Sequence, residues 1–183
     1  MLKVVEPPEI TEEKLDAIKL HLRVEHDEDD RLIKTLIGAT REYAETTLCG
    51  RAFEVQTLEL VVSGFSKYVT LPKPPLVDVE SVTCTLGDGD VVILDGIDYD
   101  VHFVEEPGSI IMKTMFTVPV KKTSIVYRAG YETPPDEYLL WQKLMVAHYY
   151  ENRQAILPMG HNIMKTPFAA DYLLQSYRMF GVT

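Results

Sequence analysis

His26-Asp27-Glu28-Asp29-Asp30 places an imidazole and four carboxylates side by side, and all of these groups are legitimate ligands for a divalent cation. A small metal-dependent enzyme could be built on His26, Asp27, Asp29 or Asp30. Consecutive residues at a helix start, however, fan outward around the axis and cannot all converge on one ion. Helix initiation accounts for the same residues more simply. Asp27 is placed to cap the first unpaired N–H groups, and Glu28, Asp29 and Asp30 sit where the helix dipole favours negative charge.

The other groups with chemical potential are similarly absorbed. His148 and Glu151 have i, i+3 spacing and could share a metal, but a carboxylate-bridged site needs acids from other helices, and the C-terminal helices offer almost none. His21, His26, His102, His148 and His161 are scattered singly. Gly87-Asp88-Gly89-Asp90 breaks the calcium-loop pattern at Val92 and Ile93 and reads as a hairpin turn. Pro72-Lys73-Pro74-Pro75 has Pro-x-x-Pro spacing yet lies between strands, so it is expected to be a connector. Phosphate loops, nucleophile elbows and zinc-helix motifs do not occur in the sequence. We therefore expect no catalytic residue, no cofactor and no metal.

The acidic stretch opens a long amphipathic helix. Leu32, Leu36, Tyr43 and Thr47, with Ile33, Ile37, Ala44 and Leu48 beside them, form one apolar stripe, opposite Lys34, Arg41, Glu42 and Glu45. Gly50 is placed to end it. A shorter helix starts near Thr11, with Leu15, Ile18, Leu20 and Leu22 as its apolar positions. From Phe53 the period changes to two, and strands are expected over 53–62, 68–71, 79–86, 91–94, 99–104, 110–113 and 124–128, forming a small antiparallel β unit. After Pro134-Pro135 the pattern is helical again over 136–152, and a last helix spans about 169–179. The fold class is α+β: a helical unit made by the N-terminal part (1–54) and C-terminal helices (133–183), with the β unit (55–132) inserted between them.

The 183 residues carry a net charge of −10, which argues against direct binding to phosphates, since that affinity comes from Lys and Arg displacing counterions. The charge is uneven. Residues 1–54 hold 13 acids and 8 bases, residues 55–132 hold 11 and 6, and residues 133–183 hold 4 and 4, so the C-terminal part is the easiest surface to bury against another protein. No apolar run approaches the ~20 residues of a membrane span. The N-terminus lacks signal-peptide features and the two cysteines, Cys49 and Cys84, read as buried reduced thiols, so a protein that stays inside the cell is expected.

The helix over 138–150 has only Gln142, Lys143 and His148 as clearly polar residues, and a helix apolar nearly all round is buried on more than one side. Subunit contact is the economical explanation. Trp141, Leu144, Met145, Tyr149 and Tyr150 are the expected interface positions, continued by Arg153. Residues 155–167 are expected to form a mobile arm that orders on assembly, with Met159, Ile163, Met164 and Phe168 as its apolar contacts.

Four strings, Leu20-His21-Leu22-Arg23-Val24-Glu25-His26-Asp27-Glu28-Asp29-Asp30, Leu71-Pro72-Lys73-Pro74-Pro75-Leu76, Tyr127-Arg128-Ala129-Gly130-Tyr131 and Val146-Ala147-His148-Tyr149-Tyr150-Glu151-Asn152-Arg153, occur in an order that resembles the head-tail connector (adaptor) family of tailed bacteriophages. The resemblance implies a structural protein of the virion, assembled in the bacterial host cytoplasm. It implies a self-assembled ring, usually twelve-fold, below the portal protein, extending the DNA channel and docking a tail-completion protein. DNA would pass without specific binding. Carboxylates facing such a channel would repel phosphates and let the duplex slide. A cytosolic scaffold unrelated to phage would share these physical features and differ in partner.

Overall fold

The change of hydrophobic period at residue 53 marks a real structural change. The computed structural model describes residues 1–152 and 168–179, which fall into two compact units, one of residues 1–8 and 51–133, the other of residues 9–50, 134–152 and 168–179.

Eight strands build the first unit: β1 (Leu2–Glu6), β2 (Gln56–Ser63), β3 (Tyr68–Thr70), β4 (Leu76–Leu86), β5 (Val91–Leu94), β6 (Tyr99–His102), β7 (Ser109–Met112) and β8 (Val120–Ala129). They form a five-stranded sheet in the order β1-β2-β8-β4-β5 and a three-stranded sheet in the order β3-β7-β6, antiparallel at every pairing. Alternation decides which side chains face inward. Leu58, Val82, Cys84, Leu94, Ile125 and Tyr127 from the large sheet share one apolar core with Val69, Ile110 and Met112 from the small one. Along β2, Leu58, Leu60 and Val62 turn inward and Glu59 and Val61 outward.

The prolines at 72–75 connect strands. Tyr127 donates its hydroxyl to the Pro72 carbonyl at 2.8 Å, while Ala52 and Gly130 donate main-chain N–H groups to the Pro74 and Pro75 carbonyls at 3.0 and 2.9 Å. Burial raises the Tyr127 hydroxyl well above the usual tyrosine range, so it stays a donor. Gly87–Asp90 is a turn, with Gly89 at φ 103° where a side chain would be strained.

Residues 2–6, expected in the helical part, instead form the edge strand β1 paired with β2. Five residues with only two apolar side chains turned inward carry too short a pattern to be told from a leader to the first helix.

The second unit contains α1 (Glu12–Leu22), α2 (Asp30–Glu42), α3 (Asp136–Glu151) and the short α4 (Phe168–Tyr172). Thr11 caps α1, accepting from the Lys14 N–H at 3.3 Å, and Arg23 ends it in the left-handed conformation. Leu15 and Ile18 from α1, Ile33 and Ile37 from α2 and Val146 from α3 are wholly buried together. The expected α+β class, with N- and C-terminal helices packing as one unit and a β unit inserted between them in sequence, is the observed one.

Three local expectations change. Asp27 does not cap α2: the Asp29 position precedes the helix without a side-chain cap bond, and Asp27 turns to Lys19. Leu20 is 80% exposed while Lys19 is buried, because Asp27 and Asp30 hold the Lys19 ammonium at 2.6 and 2.8 Å and let its aliphatic stem lie inside. The long helix also changes type, running as α-helix to Glu42 and as π-helix over Tyr43–Cys49 before Gly50 ends it at φ 70°. Bonding i to i+5 takes more residues per turn, so the stripe drifts: Thr47 faces solvent and Glu45 becomes fully buried, while Tyr43, at the start of the segment, lies on the stripe's edge at 36% exposure. The last helix is shorter than expected, stopping at Tyr172 and resuming as one 3-10 turn over Gln175–Tyr177, with Leu174 buried between them.

Candidate assembly surface

Pro134-Pro135 cannot continue the preceding strand ladder and starts α3, whose first turn carries Asp136 and Glu137. Asn152 closes it, donating its side-chain amide to the His148 carbonyl at 2.8 Å. Between these ends one face is sealed inside the subunit, with Tyr138, Trp141, Gln142, Met145 and Val146 all buried.

This narrows the expected interface. Trp141 stacks on Tyr43 with ring centroids 6.4 Å apart and donates its indole N–H to Asp171 at 3.2 Å, so it belongs to the subunit core. Met145 is buried there too. Tyr150 is half-buried and donates its hydroxyl to Asp29. The apolar composition of α3 is explained in large part by contact with α1, α2 and α4. Leu144 and Tyr149 remain 39% exposed, and Leu140, outside the expected set, is 48% exposed. Arg153, Met159, Ile163, Met164 and the expected arm over 155–167 lie outside the described residues, as does the side chain of Phe168.

The exposed positions form two surfaces. Leu140 and Leu144 share one side of α3 at i, i+4 spacing, whereas Tyr149 falls about half a turn away from Leu140. Tyr149 therefore continues the buried face past the end of the core, beside exposed Tyr43. Burial raises the Tyr43 hydroxyl above the ordinary tyrosine value, with Asp171 and Tyr149 adding to the shift and Arg178 opposing it. Asp171, Tyr172, Gln175 and Arg178 line a shallow recess of about 300 Å³ on this side. Aromatic side chains with an arginine nearby are the types that dominate protein contacts. Leu140 was legible as the i−4 partner of Leu144, but Tyr43 was hidden by the α-helical stripe into which it had been read.

Three of the four carboxylates of the 26–30 stretch are held within the subunit. Asp27 and Asp30 hold Lys19, Asp29 accepts from Tyr150, and Lys19 draws the Asp27 carboxyl below its usual range. Among the described residues no three His, Cys, Asp or Glu side chains are grouped as a metal site, and no helix is long and apolar enough to cross a membrane.

The N-terminal helices packed against α3 carry a family signature. Residues 12–80 match the phage gp6-like head-tail connector family. The connector match spans α1, α2 and the π-helical segment, and takes in two of the four strings on which the resemblance rests, 20–30 and 71–76. The head-tail connector resemblance is thus borne out. Solved structures extend the likeness along the whole chain. A chain from the neck of an empty gene transfer agent (GTA) particle, computed with C6 symmetry, is 16% identical with a TM-score of 0.75, covering 100% of this chain and 97% of its own. Chains from the virion of the native GTA particle and from its neck, computed with C12 symmetry, match over the same shares at 16% identity with TM-scores of 0.72 and 0.68. At this identity the likeness establishes the fold. No curated protein matches the chain.

Proposed function

We propose that this protein is a structural head-tail connector of a tailed phage, prophage or related particle, acting as an assembly part of the virion and not as an enzyme. Its copies form a ring below the portal protein, twelve-fold in the complete particle, that extends the DNA channel and gives tail-completion proteins a surface to dock on. The observation that carries this reading is the connector-family match over residues 12–80, in a chain whose whole fold is that of subunits from particle necks. The acidic balance supports it physically: a net charge of −10 disfavours adhesion of the wall to passing DNA.

Within this function Leu144 and Tyr149, with Leu140 and Tyr43 beside them, are the described residues placed to meet another chain. The test is assembly. Purified protein mixed with the portal protein of the same particle should give portal-bound rings visible by electron microscopy. Particles lacking the protein should contain heads without tails. Tailed, infectious particles formed in its absence would sink the proposal.

A further inference from the structure

We propose that copies of this chain join head to tail by pairing β1 of one copy with β5 of the next, so that the five-stranded sheet continues from subunit to subunit. The proposal rests on the ring reading above. A closed ring of like subunits requires two different, mutually complementary surfaces on each subunit. The two edges of the large sheet, β1 and β5, are such a pair.

The main-chain groups at both edges point the right way. At the end of β4, Leu86 donates its N–H to the carbonyl of Asp90, just before β5, at 2.8 Å, which makes 86 and 90 a bonded pair. Bonded and non-bonded pairs alternate along an antiparallel ladder, so the N–H and C=O of Val91 and Ile93 turn away from β4 toward the open edge. Just before β1, Met1 exchanges bonds with Val61 of β2 at 2.7 and 2.8 Å. The same alternation turns the main-chain groups of Leu2 and Val4 outward. Each edge thus offers two residues at i, i+2 spacing, with both donors and acceptors unused by the sheet itself.

Side chains distinguish the edges. Val91 and Ile93 are 62% and 69% exposed, and β5, Val-Val-Ile-Leu, carries no charge, proline or bulge. Natural sheets blunt their edges with such features, and an apolar edge without them is a site for pairing with another chain. β1 does carry charges, Lys3 and Glu6, and its register shifts between Val4 and Glu6. The shift lies past Val4 and leaves the outward groups of Leu2 and Val4 in register, while two β1 edges paired about Lys3 would set like charges opposite each other.

Direction selects the occupant. Four successive antiparallel pairings make β1 and β5 run parallel within the sheet. A β5-to-β1 junction between copies is then a parallel pair that repeats in the same sense at every step, as a rotational ring demands. Pairing of β5 with β5 would be self-complementary and stop at two copies.

Lys3 and Ile93 side chains lie on the same outer face of the sheet, which makes cysteine crosslinking decisive. Chains carrying Lys3→Cys and chains carrying Ile93→Cys or Val91→Cys, mixed, assembled with the portal protein and oxidised, should yield disulfide-linked dimers, and no single variant alone should do so. Ile93→Pro deletes an outward N–H while leaving the bonds to β4 intact, as proline is tolerated on open edges. It should keep the wild-type melting temperature and weaken ring assembly at least ten-fold. Complete rings that give no mixed crosslink, or that form normally with Ile93→Pro, would overturn the edge pairing and leave the ring standing. Dimers from Ile93→Cys alone would overturn it in favour of β5 self-pairing. Absence of rings from wild-type protein with portal would overturn both readings.

Discussion

Gln142 on α3 donates its side-chain amide to the main-chain carbonyl of Ile37 on α2 at 3.1 Å, and reaches the Tyr138 hydroxyl at the same distance. This ties the N-terminal and C-terminal helices by a polar bond inside an apolar core, where Gln142 is 1% exposed. Removing it leaves a buried acceptor short of one donor. Gln142→Leu should destabilise the protein by about 1–3 kcal/mol, read as a lower urea midpoint with an unchanged m-value. A midpoint within error of wild type would show that the bond contributes nothing net.

Trp141 and Tyr149 should separate stability from assembly. Trp141→Ala removes a wholly buried indole and should cost about 3–5 kcal/mol, measured by denaturation of the free subunit. Tyr149→Asp, at a 39% exposed position, should leave the melting temperature of the free subunit nearly unchanged and reduce ring formation or portal binding. Unchanged assembly would remove this aromatic side of α3 from the interface.

Two glycines should respond with opposite sign. Gly130 has φ 127°, and a Cβ there would lie 2.3 Å from the Glu54 carbonyl oxygen, so Gly130→Ala should destabilise by at least ~1–3 kcal/mol. Gly38 lies within α2 with nothing within 4 Å of its added Cβ, so Gly38→Ala should stabilise by about 0.5–1 kcal/mol. Paired thermal melts decide both.

Stability should fall at both extremes of pH through one cluster. Asp27 has its pKa lowered in the fold, first by its hydrogen bond to Lys19, so its contribution is full above the ordinary carboxylate value and is lost as pH falls through the depressed one. Lys19 has its pKa raised, first by its bond to Asp27 and then by Asp30, so its contribution is full below the ordinary lysine value of 10.5 and is lost as pH rises beyond it. Lys19→Met should flatten both flanks of the melting temperature against pH. A profile parallel to wild type would place the pH dependence elsewhere.

The period change at residue 53, the Pro-rich connector, the Gly-Asp turn and the boundaries of α3 were legible because each is a local signal: alternation, proline geometry, positive φ and helical spacing. What escaped depends on distant partners. Lys19 is buried because two aspartates reach it, Asp27 from the connecting segment and Asp30 from the start of α2, and neither neighbour in sequence reveals that. The π-helical segment moves Glu45 from the outer face to the core, which no α-helical wheel can register. The candidate interface was half legible: apolar excess on α3 was plain, but the share covered by α1, α2 and α4 required the fold, and so Trp141 and Met145 were assigned outward.

The place of β8 in the large sheet has a consequence for biosynthesis. It is the last strand made, yet it lies at the centre, between β2 and β4. On the ribosome, β1 and β2 can pair early, and β4 and β5 can form their hairpin, but the two halves of the sheet stay unjoined until residues 120–129 emerge. α1 and α2 likewise wait for α3 to cover Ile33 and Ile37. Long-range pairing of this kind folds slowly and leaves apolar edges exposed in the interval. A nascent chain of this protein is therefore most prone to premature association just before its central strand is synthesised, and synonymous slowing of translation upstream of residue 120 should raise the aggregated fraction.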